Sequence, residues 1–346
     1  DRLGAGLQMA IYDLAGKALG VPVYRLLGSK VRDWCPVSWW SNDMSTEDWL
    51  DEIREALSLG YLSAKLKARP WRDFVAQIET LARIVPSDFC FDADFNGFLR
   101  DVGTAIPYLL ELEKTPAVNL FESPIPQGDV EGNRMIHKQV TRPTALHYGV
   151  PPIQTVIRDE VCDGFVIGGG ADRVRQEGTL AAQFNKPFFL QMVGTGLTTA
   201  FMLHFGATLT HATWPAITCH EIYVDDLIQK RLEVNGGYIH MPKEPGLGVT
   251  PDEEAIARYK VDEGYAPPPP RNLYRVSWPS GRQVIYPVSK RGTPNTLGVI
   301  GVWDDFAAGN QPLFHRGVRL DILPDDGSPA WAELEKRALQ GPVWGE

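Results

Sequence analysis

Ala64-Lys65-Leu66-Lys67-Ala68 sets two lysines one residue apart. Successive side chains of a strand alternate faces, so residues two apart share one. Two ammonium groups on one face repel, and each lowers the other's pKa. A lysine in that setting at a buried mouth can act as a base near neutral pH, which a free lysine cannot. A bare Lys-x-Lys is otherwise most often a solvated basic edge. What sets this pair apart is its downstream company, carboxylates closing two later predicted strands.

The strand around the lysines is one of a series. Cys35 to Trp40 reads as a strand before it, and strand-like segments follow near 89–94, 117–122, 143–147, 163–167, 187–191 and 215–220. Helical patterns fill the gaps, over Ser45 to Leu57 and near 72–84, 102–113, 130–138, 152–158, 171–183 and 196–208. Strand–helix alternation with short connections predicts parallel βαβ units, and about eight strands in order predict a closed barrel. An open doubly wound sheet is the alternative. It would want a GxGxxG fingerprint after an early strand, and Gly168-Gly169-Gly170 comes too late and lacks that spacing, so it reads as a tight turn.

Leu7, Ile11, Leu14, Ala15 and Leu19 fall at helical spacing over residues 3–19, with Gly20 as the stop and a short helix from Val23 to Leu27 next. Beyond residue 265 the character changes. Ala266-Pro267-Pro268-Pro269-Pro270 reads as a stiff linker, Pro279-Ser280-Gly281-Arg282 as a hairpin turn, and 329–339 as a helix.

The 346 residues carry a net charge of −9, which argues against a nucleic-acid partner but not against a local pocket for a small carboxylate substrate. No run of about 18 apolar residues is present, so no membrane span is expected. Cys35, Cys90, Cys162 and Cys219 are far apart with no CxxC, which predicts free thiols and a cytoplasmic setting.

In a parallel barrel the chemistry sits at the carboxyl ends of the strands. The lysines, Asp92-Ala93-Asp94, Glu122, His147-Tyr148 and Cys219-His220-Glu221 all fall on that rim. Convergent carboxylates raise each other's pKa unless a cation neutralises them, and a hard divalent ion suits oxygen ligands. Such an ion facing a lysine can hold a substrate carboxylate while the lysine takes the adjacent C–H proton. Asp92 reads as a polar strand residue, His204 as a core histidine, and Asp225-Asp226 as a solvated pair or helix cap. Arg69 and Trp71, just past the lysines, read as contacts for an anionic substrate.

These motifs resemble the enolase superfamily, mandelate racemase/muconate-lactonizing group. The carriers are AGLQMAIYDLAGKALGVPVYRLLG (Ala5 to Gly28), AKLKA, DFNG (Asp94 to Gly97), FESPIP (Phe121 to Pro126) and PKEPGLGV (Pro242 to Val249). The resemblance implies a modified (β/α)7β barrel over 31–245. Remnant helices of a capping domain would fill 1–30, with the rest of that cap upstream of Asp1. A return segment would occupy 246–265, and a Pro-linked, β-rich extension 266–346. It implies Mg2+ on Asp94 and Glu122, Lys67 as base, Lys65 as its electrostatic partner, and Glu221 as a carboxylate bonding the substrate or its enediolate. Oligomerisation follows by the same analogy.

Two positions depart from the family pattern. The third metal ligand falls in His147-Tyr148, where His147 can replace it as a nitrogen ligand or serve as acid. The racemase branch pairs a histidine on the seventh strand with an aspartate on the sixth, and neither is present. One-base dehydration of a sugar acid, with His220 or His147 as acid, therefore fits better than racemisation or epimerisation. A degenerate, ligand-binding member is the remaining reading.

Overall fold

The structure, a computed structural model, describes residues 3–265, 270–288, 301–310 and 314–345. The chain divides into two compact units, one of 1–41, 47–67 and 81–260 and the other of 42–46, 68–80 and 261–346.

In the first unit eight strands run in parallel: β1 (Trp34–Ser41), β2 (Ser63–Lys67), β3 (Cys90–Asp94), β4 (Val118–Glu122), β5 (Thr144–His147), β6 (Gly164–Ile167), β7 (Phe188–Leu190) and β8 (Ala216–Ile217). Neighbours in sequence are neighbours in the sheet from β1 to β7, and β8 pairs β1. A parallel bridge from Gln191 to Ile217 joins the last two strands and closes the ring. After α1 (Ala5–Leu19) and α2 (Tyr24–Leu27), the seven connections carry α3 (Thr46–Ser58), α4 (Phe74–Leu81), α5 (Val102–Leu112), α6 (Val130–Gln139), α7 (Ile153–Asp159), α8 (Ala171–Gln183) and α9 (Gly196–Thr208). Seven helices between eight strands make the (β/α)7β barrel expected from the sequence. A hairpin of β9 (Val234–Asn235) and β10 (Tyr238–His240) extends the sheet antiparallel to the start of β1, and α10 (Glu253–Tyr259) follows.

Strand alternation sorts the barrel's interior. Leu120, Ala145, Val166, Phe189, Ile217 and Cys219 pack together there, with Trp40 against them. The β6–β7 approach is tight: a Cβ on Gly168 would lie 2.2 Å from the Gln191 carbonyl oxygen, so only glycine fits where β6 ends. Outside, α9 is buried all round, because α1 and α2 cover the face turned from the barrel. His204 on α9 is fully buried, as expected of a core histidine. Its Nδ1 accepts from Tyr24 N–H at 3.3 Å, and Nε2–H donates to the Leu247 carbonyl at 3.1 Å. The segment around Leu247 also returns to α1, where Leu247 N–H donates to Asp13 Oδ1 at 2.8 Å.

The α1 helix differs from expectation in its orientation. Leu7, Ile11 and Leu14 are exposed, while Gln8 and Gly16 are buried. Close approach decides this. Gly16 lies against Gly246, where a Cβ would meet backbone at 2.8 Å, so the helix docks by its small face rather than its apolar one.

The second unit is an antiparallel sheet with, among the described residues, most of α4 and two helices of its own. Its strands are β11 (Asn272–Ser277), β12 (Gln283–Tyr286), β13 (Arg319–Pro324) and β14 (Val343–Trp344), ordered β13-β11-β12-β14. Its helices are α11 (Val302–Ala307) and α12 (Pro329–Ala338), and Trp331 of α12 packs on Leu273. The expected hairpin is present. Most of the proline linker, Ala266 to Pro269, lies outside the described residues. One feature was not foreseen: the segments after β1 and β2 belong to this unit. Arg72 donates to Asp43 Oδ1 at 2.9 Å and to the Leu320 carbonyl at 3.3 Å, and Asp73 Oδ2 accepts from Gly317 N–H at 2.6 Å. Arg69 and Trp71 are buried here, with Trp71 Nε1–H donating to Asp43 Oδ2 at 2.5 Å.

Candidate active site

Strand register builds the site. Lys67, Asp94 and Glu122 stand side by side on β2, β3 and β4, with Lys65 and Asp92 paired one step deeper. Alternation points all five inward. Lys67 Nζ lies 2.5 Å from Asp94 Oδ2 and donates to Asn96 Oδ1 at 3.2 Å. Lys65 Nζ reaches up from the deeper layer to 2.5 Å from Glu122 Oε2, 3.3 Å from Asp94 Oδ2 and 2.6 Å from Gln191 Oε1. His147 Nε2 lies 3.1 Å from Glu122 Oε1, and its ring is 44% exposed.

The two ammonium groups sit in different fields. Burial pushes both down. For Lys65, Glu122 and Asp94 together outweigh burial and hold it above the ordinary lysine range. For Lys67, burial prevails over the pull of Asp94, and the charge on Lys65 adds to the depression. The pair thus splits into a fixed ammonium and a lysine biased toward the free amine. Burial lifts Asp92 to about 6, although it accepts from Asn119 Nδ2 at 3.0 Å. Asp92 therefore lines the site from below.

Asp94 and Glu122 suit a hard divalent cation. Both are buried on adjacent strands, and beyond the Lys65 ammonium and the His147 ring Glu122 has no donor to either oxygen among the described residues. A small hard ion keeps several waters and is commonly held by one or two carboxylates. His147, the expected third ligand, stands beside Glu122 at the end of β5, its Nε2 3.1 Å from Glu122 Oε1. Tyr148 turns outward onto Phe165, at 5.1 Å between ring centroids, which removes it as a ligand.

Glu221 and His220 depart from expectation. The Glu221 carboxyl bonds to the Tyr61 hydroxyl and accepts from Thr218 Oγ1 at 2.5 Å, and none of its described contacts is with a lysine. Burial drives its pKa up to about 8. His220 Nδ1 lies 3.2 Å from Thr199 Oγ1, and burial lowers it to about 4, so it is neutral at pH 7 and poorly suited as an acid. The cause is local. β8 ends at Ile217, and a 3-10 turn over His220–Ile222 breaks the alternation that would have carried Glu221 inward. Cys219 takes the inward place, feeling both lysines. Asp226 caps α9 through Gly196 N–H at 2.8 Å. Gln191 was missed. Its signal was parity with Phe189, the inward residue two positions earlier.

No helix among the described residues is long and apolar enough to cross a membrane. Residues 48–255 match the family model for Enolase C-terminal domain-like proteins. The chain is 25% identical over 315 residues to a D-galactonate dehydratase family member of Pseudarthrobacter chlorophenolicus, covering 76% of each. It is also 25% identical over 268 residues to a chloromuconate cycloisomerase of Delftia acidovorans, covering 74% of this chain and 72% of that one. A mandelate racemase/muconate lactonizing family structure from Azoarcus sp. EbN1 superposes with a TM-score of 0.65 at 26% identity, covering 76% of this chain and 74% of that one. With the parallel ring, the paired lysines and the two carboxylates in place, the chain belongs to the enolase superfamily, in its mandelate racemase/muconate-lactonizing group.

Proposed function

We propose that this protein abstracts the proton alpha to a carboxylate, with dehydration of a sugar acid as the net reaction. The observation that carries the reading is the in-register set of Lys67, Asp94 and Glu122 at the carboxyl ends of β2, β3 and β4, with the Lys65 ammonium beneath it. Sugar-acid dehydration is favoured by the D-galactonate dehydratase family relative. It is favoured also by the opposite wall, where Phe189, Gln191 and Val166 face inward and offer no second base.

Asp94 and Glu122 would hold Mg2+, which when bound supplies positive charge to a substrate carboxylate as its alpha carbon is deprotonated. The protein's own residues do the rest. Lys67, as the amine, takes the alpha proton and becomes an ammonium. Lys65 stays charged and stabilises the electron density that moves onto the carboxylate oxygens. As the C–O bond at the neighbouring carbon breaks, His147 gives a proton to the departing hydroxyl, which leaves as water. His147 is suited to that task by its exposed ring and by the Glu122 oxygen at 3.1 Å, which orients it. Cys219, Phe189 and Trp40 close the floor and exclude water.

The test is exchange of the alpha proton of a panel of sugar acids in deuterated water with Mg2+, followed by NMR. Exchange is expected with the wild type and is lost in Lys67→Ala. No exchange across the panel by a folded protein would refute the reading and favour a ligand-binding role.

A further inference from the structure

We propose that Gln191 is a positioning residue that draws the Lys65 ammonium off the carboxylates when they take up a cation. The inference rests on the reading above, that Asp94 and Glu122 seat a divalent ion. In the structure the Lys65 Nζ lies between them, 2.5 Å from Glu122 and 3.3 Å from Asp94. A divalent ion and an ammonium cannot share those oxygens, because like charges at such separations repel strongly in a buried site. Lys65 is fully buried and cannot swing into water. Besides the two carboxylates, Lys65 Nζ has its described hydrogen bond to Gln191 Oε1 at 2.6 Å, with the Phe189 ring face 5.1 Å away as a softer partner and Asp92 beside it in the deeper layer.

Several features hold Gln191 at that place. Its N–H donates to the Ile167 carbonyl at 2.9 Å, and its bridge to Ile217 closes the barrel. Gly168 leaves room for its backbone, since any side chain there would collide with the Gln191 carbonyl. A neutral acceptor suits the role. It attracts an ammonium less than two carboxylates do, so it does not compete until a stronger cation displaces Lys65.

The two states then depend on Gln191 unequally. Without a cation, Lys65 keeps two carboxylates even if the amide is removed. With a cation bound, the amide is the hydrogen bond it already holds and keeps, and a buried ammonium that loses such a bond is costly. Gln191→Met should therefore weaken cation binding by about tenfold to a hundredfold, the usual worth of a charge-assisted hydrogen bond.

The experiment is Mn2+ titration of the whole protein by calorimetry and by electron paramagnetic resonance of the free ion, without substrate, with thermal melting as the check on folding. Wild type binds Mn2+, Gln191→Met binds at least about tenfold more weakly, and Gln191→Glu, which keeps an acceptor, binds at least as tightly as wild type. In a Lys65→Met background Gln191→Met should have no further effect, which separates positioning of Lys65 from a general structural role. Equal Mn2+ affinity in wild type and Gln191→Met, an equal loss in both backgrounds, or loss of binding in Gln191→Glu would each overturn the proposal while leaving the cation reading intact. Failure of the wild type itself to bind Mn2+ would overturn both.

Discussion

Glu221→Gln separates the position the family pattern implies for this carboxylate from the one the structure gives it. Its side chain is 4% exposed and its pKa stands at about 8, against 4.5 for a free glutamate, because burial disfavours the charged form. Between those two pH values the folded chain holds a proton that the unfolded chain releases. Stability therefore falls as pH rises through that window, is unaffected by this group below it, and levels off above it. Over pH 5 to 7.5 the loss amounts to about 3 kcal/mol. The glutamine in the variant cannot ionise, keeps an acceptor for Tyr61 and Thr218, and lacks that slope. Urea unfolding of both proteins at several pH values, read by tryptophan fluorescence, gives the difference curve, from which every other titrating group drops out. Parallel curves would refute the assignment. A second readout bears on function. Alpha-proton exchange should survive in Glu221→Gln to within about threefold, less than a lost hydrogen bond to a reacting group would cost. Loss to the level of Lys67→Ala would mean that Glu221 reaches the substrate after all.

His204 is lowered to about 4 by burial, from 6.5 in a free chain. Its folded-state pKa is depressed, so its neutral form is fully stabilising above pH 6.5 and its contribution is lost as pH falls toward 4, by up to about 3 kcal/mol. His204→Gln should flatten that acid limb in the same unfolding assay, and a limb as steep as the wild type's would contradict it. Gly168→Ala should cost about 1–3 kcal/mol, since its Cβ would press on the Gln191 carbonyl. A wild-type melting temperature in that variant would mean that β6 and β7 stand farther apart.

The barrel could be read from the sequence because its elements obey two simple periods. Apolar runs such as Phe188-Phe189-Leu190 mark strands buried on both faces, and the intervening stretches mark helices at about 3.6-residue spacing. The lysines and the two carboxylates could be read for the same reason: each lies within its strand, where parity fixes direction. Parity failed wherever the strand had already ended. Glu221 shares parity with the inward Cys219, but it lies within a 3-10 turn. Gln191 stands one residue past β7, yet the bridge to Ile217 prolongs the ladder and keeps it inward. The docking of α1 by Gln8 and Gly16 is hidden from the sequence because apolarity is the usual sign of burial, while here close approach of two backbones selects glycine at position 16. Capture of 42–46 and 68–80 by the C-terminal sheet rests on single polar side chains, Asp43, Arg72 and Asp73, which carry no periodic signal.

The division of labour between the lysines follows from depth more than from chemistry, since the two side chains are identical. Lys67 shares the top layer with Asp94 and Glu122, its side chain 8% exposed toward the mouth, whereas Lys65 starts one layer down beside Asp92 at 1%. On the proposed function, a substrate entering from the carboxyl ends of the strands would therefore meet Lys67 first. Lys65 can reach the same carboxylates only by extending upward through the barrel's interior, where it is held by two anions and an amide. A lysine so held is a poor proton acceptor and a good fixed charge. Its neighbour, with one anion and that fixed charge close by, has the opposite bias. Exchanging the roles would require a second anion beside Lys67 and one fewer beside Lys65. A single side chain decides this: Glu122 lies opposite Asp94 in the ladder, yet its carboxylate makes its close ion pair with the ammonium from the layer below.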